Sequence, residues 1–173
     1  MKQAMTAFLL CTLFALGNQL RAATLPDSCG NDKSKFEVQT EKHQPAPAGP
    51  AEGKAQIVLL ENENQMVAPF SDATVRFALD GTWVGADNGN SYFSIDVVPG
   101  MHHLCANWQS VFHRNMNTQL TSFTADPGKV YYFEADVTVE SKETVTFGLS
   151  QLNGDQGQYK VKSSAHATGT SKN

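Results

Sequence analysis

The stretch from Ser91 to Trp108 reads SYFSIDVVPGMHHLCANW. Phe93, Ile95 and Val97 recur at every second residue, the spacing that sends side chains to one face of a β-strand. Pro99-Gly100 then signals a turn. Beyond it the same period divides the histidine- and cysteine-containing segment into two faces. His102, Leu104, Ala106 and Trp108 fall on one; His103, Cys105 and Asn107 fall on the other. The apolar set belongs to the core. His102 is expected near the sheet edge, its ring bonded to backbone and partly wet. Two strands joined by a tight turn, with one face apolar, set the fold class as antiparallel β.

The pattern extends in both directions. KAQIVLLE begins at Lys54 and is rich in aliphatic and β-branched residues. In ATVRFALD, Val75, Phe77 and Leu79 alternate with Thr74, Arg76 and Ala78. Asp80-Gly81 is a hairpin signal. TWVGA follows, and Asp87-Asn88-Gly89-Asn90 is a second turn. Downstream lie SFTAD, the turn Pro127-Gly128, and KVYYFEADVTVE, in which Tyr131, Phe133, Ala135, Val137 and Val139 share a face and Tyr132 points oppositely. Val145, Phe147 and Leu149 close the series. About eight short strands with turn signals every eight to twelve residues are the mark of a sandwich or barrel. The expectation is a mainly β domain over residues 54–163: an immunoglobulin-like or transthyretin-like antiparallel β-sandwich of about seven to eight strands. GDQGQYKVKSS is a candidate short C-terminal helix, capped by Asp155 and weakened by Gly157. Residues 164–173 are expected to form a disordered tail.

The N-terminal region has a different character. Met1-Lys2-Gln3 is a short basic start, the run from Ala4 to Gly17 is apolar, and Ala22-Ala23 supplies small residues, the layout of a signal peptide over residues 1–22. The run is shorter than the roughly 20 apolar residues a membrane helix needs. Residues 23–43 form an arm carrying Cys29, with Phe36 and Val38 sufficient for one short strand. Residues 44–53, QPAPAGPAEG, form a linker in which Pro45, Pro47 and Pro50 favour extended backbone. Cleavage after Ala22 removes Lys2 and Arg21 and no acid, taking the net charge from -4 to -6. That balance disfavours nucleic acid as a partner. Cleavage also removes Cys11, leaving Cys29 and Cys105 as an even pair in an oxidising compartment, and a disulfide between them is expected.

Catalytic signatures are scarce. His103 and Cys105 share a face and could ligate a metal, yet zinc would need one or two further ligands that no spacing supplies. A cysteine nucleophile would need a free thiolate beside its base, and export argues for a bonded Cys105. No serine-hydrolase elbow, zincin helix, P-loop or dinucleotide motif occurs. Glu134 and Asp136 alternate with a core face and read as solvated. The Asp87–Asn90 run lacks the ligand series of a calcium loop. Among the aromatics, Trp83, beside Gly81 and Gly85, and Tyr132 are the candidates for a ligand-binding surface.

Four motifs carry a resemblance: GKAQIVLLE, FALDGTWVG, SYFSIDVVPGMHHL and PGKVYYFEADV. In that order they resemble the bacterial domain of unknown function 2846 family, and in pattern the PEGA-type and transthyretin-like small β-sandwiches of bacterial envelopes. The resemblance runs from Lys54 to about Ser150. It implies a small envelope sandwich in which the Asp-Gly and Pro-Gly pairs are structural, and it implies no activity. The expectation is an exported, non-enzymatic binding module of the cell envelope, without cofactor, periplasmic or extracellular, with an envelope protein or glycan as partner. The alternatives are a secreted enzyme or metal-binding protein with a site around His103 and Cys105, and a glycan or small-ligand binder using exposed aromatics.

Overall fold

Alternation at period two becomes two facing sheets. The computed structural model describes residues 26–31, 33–65, 73–109, 117–140 and 145–172; the signal-peptide reading of residues 1–22 lies outside them. The elements are β1 (Lys35–Glu41), β2 (Ala55–Gln65), β3 (Thr74–Leu79), β4 (Thr82–Asn88), β5 (Ser91–Val97), β6 (Gly100–Trp108), β7 (Thr118–Ala125), β8 (Val130–Val139), β9 (Val145–Leu152), α1 (Gly154–Ser163) and β10 (Ala165–Lys172). A six-stranded sheet runs β1-β10-β5-β2-β8-β9 and a four-stranded sheet β4-β3-β6-β7. The fold is mainly β, as expected for a sandwich, with one short helix near its C-terminus.

The principal core lies between the sheets. Ile57, Leu59 and Phe133 of the larger sheet meet Val75, Phe77, Leu104 and Ala106 of the smaller. Phe77 and Phe93 pack edge to face at 5.9 Å, a preferred aromatic arrangement. β2 is apolar on both faces because both are covered. Val58 and Leu60 join Tyr92 and Val161 in a second cluster beneath α1. Such a strand suits parallel pairing, which occurs where both faces are buried, and β2 does pair in parallel with β8.

Three expectations are corrected. The sandwich is not wholly antiparallel, since β2 pairs with β8 and β10 with β5 in parallel. Among the described residues it has ten strands, because residues 165–172 form β10 rather than a disordered tail. Ala165, Ala167 and Gly169 are small residues at every second position, and the strand fits where larger ones would not. A Cβ on Gly169 would lie 2.8 Å from the Ala86 backbone nitrogen. β10 pairs with β1 from His166 to Lys172, so the arm's short strand and β10 hold one another. Finally, the helix cap is Asn153 rather than Asp155. The Asn153 side chain accepts the Gln156 N–H at 2.9 Å and the Gln156 side chain accepts the Asn153 N–H at 3.4 Å, forming a capping box. Asp155 lies in the first turn, facing the positive end of the helix dipole. Gly157 is required by packing: a Cβ there would lie 2.1 Å from the Tyr132 ring.

The turns behave as read. Asp80 and Gly81 have φ of 49° and 83°, the left-handed pair that a two-residue hairpin requires. Gly89 and Asn90 repeat this at 58° and 60°. Their turn, however, carries the chain from the four-stranded sheet into the six-stranded one.

Candidate functional site

β6 places its two faces as the alternation requires. Leu104 and Ala106 are fully buried in the core. Cys105 points to the outside of the four-stranded sheet, yet it too is fully buried, because the arm covers that face with Cys29 and with the carbonyls of Ser28, Asn31 and Ser34. Cys29 and Cys105 form a disulfide, with Cα atoms 5.3 Å apart. Ala78, Cys29, Cys105 and Trp83 make a small third cluster beneath the arm.

The arm is held mostly through its main chain. The Gly81 N–H donates to the Ser28 carbonyl at 3.1 Å. Trp83 Nε1 donates to the Asn31 carbonyl at 2.8 Å. Arg76 donates to the Ser34 carbonyl through a terminal guanidinium nitrogen and to Asn107 Oδ1 at 2.7 Å through Nε. Its guanidinium carbon lies 4.3 Å from the Trp83 ring centroid, a cation–π contact that helps keep a buried charge in place. Gln109 grips Phe36 by both backbone groups, accepting its N–H at 2.8 Å and donating to its carbonyl at 3.1 Å.

The residues singled out from sequence separate accordingly. Cys29 and Cys105 come together as a bond, so Cys105 offers no thiolate. The His103 ring is exposed, and among the described residues no group of three or more His, Cys, Asp or Glu side chains is placed to hold a metal. Trp83 is not an open platform: Arg76 lies over it, and Gly30 approaches so closely that a Cβ would be 2.3 Å from the indole. Tyr132 points away from Tyr131, as expected, but lies beneath α1 against Gly157. Both rings are occupied by the chain itself.

His102 departs from expectation in its burial. Only 5% of it is exposed, and it packs against Phe123 with ring centroids 5.6 Å apart. The backbone contact is present: Nε2 lies 2.8 Å from the Val98 carbonyl. Nδ1 lies 2.7 Å from Asp80 Oδ2. Both neighbours are acceptors, so the ring satisfies them together only as an imidazolium donating from both nitrogens. Burial pulls its pKa down, but the Val98 and Asp80 hydrogen bonds and the Asp80 charge outweigh this and leave it raised. For Asp80, burial acts upward, and the His103 N–H, the His102 bond and the His102 and His103 charges bring it below the usual carboxylate value. Asp80 Oδ1 also accepts the His103 N–H at 2.8 Å. One carboxylate thus ties the β3–β4 turn to the start of β6. The sequence shows Asp80 only as half of a turn; no local pattern marks a partner 22 residues away.

The sheet edges differ in chemistry. β1 is charged, with Lys35, Glu37 and Glu41, and Glu37 pairs with Lys172. β7, TQLTSFTA, has no charged residue and is an outer strand of its sheet. Leu120 on β7 is 50% exposed and Met101 on β6 is 71% exposed. Ladder register puts Leu120 opposite Cys105 and Thr124 opposite Met101, so both side chains lie on the outer face. Near one end Gln119 Nε2 donates to the Phe147 carbonyl of β9 at 2.9 Å. Among the described residues, no helix is long and apolar enough to cross a membrane. Comparison with protein families, with curated proteins and with solved structures finds no match.

Proposed function

We propose that the chain is an exported, non-enzymatic interaction module of the bacterial cell envelope that binds an extended segment of a partner by strand addition along β7. The observation that carries this reading is the contrast between edges. β1 has the alternating charge that natural sheets use to block edge-to-edge pairing, whereas β7 is uncharged and carries an exposed Leu120 on its outer face. In strand addition, main-chain hydrogen bonds provide affinity and alternate side chains provide selectivity. The signal-peptide layout, the Cys29–Cys105 pair and the resemblance to small envelope sandwiches support the location. The enzyme and metal alternatives lose support because Cys105 is bonded, and the glycan alternative because Trp83 and Tyr132 are covered.

The test compares the parent chain with Leu120→Lys in capture from envelope extract. Leu120 is half exposed, so the variant should keep its thermal midpoint while placing a charge on the edge. Retention of a partner by the parent and its loss in the variant is the expected result. Equal capture by both, or turnover of a substrate without capture, would refute the reading.

A further inference from the structure

The chain passes from the six-stranded sheet to the four-stranded one at Val98 and Pro99, between β5 and β6. Val97, before this crossing, is buried in the core. Gly100, after it, opens the β6–β7 ladder opposite Ala125. The crossing itself is weakly held. Val98 is exposed, and Pro99 has no N–H to donate. Among the described residues one hydrogen bond reaches the two, from His102 Nε2 to the Val98 carbonyl at 2.8 Å. The other ring nitrogen, Nδ1, lies 2.7 Å from Asp80 Oδ2 in the β3–β4 turn. One buried ring thus joins the crossing to the hairpin.

Both neighbours are acceptors, so both bonds exist only while both ring nitrogens carry hydrogen. A neutral ring has one N–H. It stays with Asp80, because an ionised carboxylate accepts more strongly than a backbone carbonyl. Nε2 then turns a lone pair on the Val98 oxygen. Among the described residues the charge acting on the ring is that of Asp80. His103, next on β6, points to the other face and donates its N–H to Asp80 Oδ1; its own charge acts on Asp80. From β7 the ring meets uncharged Phe123. Behind Phe123 lies Tyr131 of β8, whose hydroxyl is engaged with Asp126. The His102 side chain is 6% exposed and that of Asp80 46%, so solvent reaches the ring from the carboxylate side.

We propose that His102 is a proton-operated pin: the doubly protonated ring holds the β5–β6 crossing to the β3–β4 turn, and loss of the Nε2 proton to solvent frees Val98 and Pro99. The end of the β7 edge loosens with them. The Trp108 N–H donates to the Asn117 carbonyl. Alternate pairs of this antiparallel ladder therefore exchange hydrogen bonds, through Leu104–Thr121 to Gly100–Ala125. Gly100–Ala125 is the pair next to the crossing, and it frays when the pin is drawn. Leu104–Thr121, four residues further along, stays closed. The folded chain holds this proton more tightly than the unfolded one. With Asp80 ionised, the pin is therefore complete below the ordinary histidine value and is lost as pH rises through the raised one. Its bearing on partner capture rests on the strand-addition reading of β7; the pin itself needs no partner.

NMR of the full chain, with no partner present, tests the pin. At mildly acid pH the His102 ring should carry protons on both nitrogens. As the ring titrates, Nδ1 should keep its proton. The Gly100 and Ala125 amides should then lose about tenfold in protection from exchange relative to Leu104 and Thr121, the equivalent of one charged hydrogen bond. His102→Phe keeps a ring against Phe123 but donates nothing, so its Gly100 and Ala125 amides should be poorly protected at every pH, without a step. If that variant fails to fold, Asp80→Asn still reports, since the ring titration and the step should move together to lower pH. A singly protonated ring at mildly acid pH, or a ring that titrates with no step at Gly100 and Ala125, would overturn the proposal. Capture that is lost in Leu120→Lys while no such step occurs refutes the pin and leaves strand addition standing. A step in a chain that captures nothing does the reverse.

Discussion

Replacing Cys29 and Cys105 together by alanine removes a link between residues 76 apart in sequence. Closing a loop of that length in the unfolded chain is worth about 4.5 kcal/mol by the chain-entropy relation. Against a total stability of roughly 5–15 kcal/mol for a domain, this is a large fraction. The native contacts of the arm do not vanish with the bond. Ser28, Asn31 and Ser34 still offer carbonyls to Gly81, Trp83 and Arg76, so the main effect falls on the unfolded ensemble. Urea unfolding should show a loss of about 3–5 kcal/mol. The denaturant slope should increase, because an uncrosslinked chain exposes more surface. At about 2–4 °C per kcal/mol for a chain of this size, the thermal midpoint should fall by about 10–15 °C. Thiol labelling of the denatured, unreduced parent chain cleaved after Ala22 should find no free thiol. A loss below about 1 kcal/mol with an unchanged slope would refute the reasoning, because closure of so long a loop cannot be that cheap.

Two further measurements address individual side chains. The His102–Asp80 contribution should be greatest between the lowered Asp80 pKa and the raised His102 pKa, declining above the latter as His102 loses its proton and below the former as Asp80 gains one; NMR titration of His102 in Asp80→Asn should show its pKa falling and stability dropping by about 1 kcal/mol, less than the roughly 1.5–3 kcal/mol of a buried charged hydrogen bond because Asp80 is half exposed. Gly157→Ala should destabilise by about 1–2 kcal/mol in urea, overpacking against Tyr132 exceeding the gain of about 1 kcal/mol in helix propensity; a more stable variant would contradict the close approach.

The features legible in sequence are those set by local spacing. Alternation of Val75 with Phe77 and of Phe93 with Val97 identifies strands, because one face of each is buried in a single core. The Asp80-Gly81 turn is legible because only certain residues adopt its backbone angles readily. Sheet membership is not, since nothing near Asn90 says that its turn changes sheets. β10 escapes notice because its inward residues are small rather than apolar, and its pairing with β1 is set by a segment over 120 residues earlier. The Cys29–Cys105 bond follows from parity and compartment. The ion pair of Asp80 with His102 does not, because it depends on what faces each residue across the fold, and Asp80 is fully accounted for locally as part of a turn signal.

The pairing of β1 with β10 has a consequence for how the molecule reaches its native state. β10 lies more than 120 residues beyond β1 in the chain, so the strand that completes β1 emerges only after β2 to β9 have been made. Until then β1 has no ladder partner among the described residues; Gln109 holds its Phe36, and the arm ahead of it is held by Gly81, Trp83 and Arg76. Contacts between such distant segments are slow to form, because the entropy of closing the chain is lost before they stabilise anything. Cys29 therefore encounters Cys105 while the arm is still loosely placed, and oxidation at that stage would shorten the remaining search. Removing residues from Ala165 onward, and with them β10, should accordingly slow the seating of the arm.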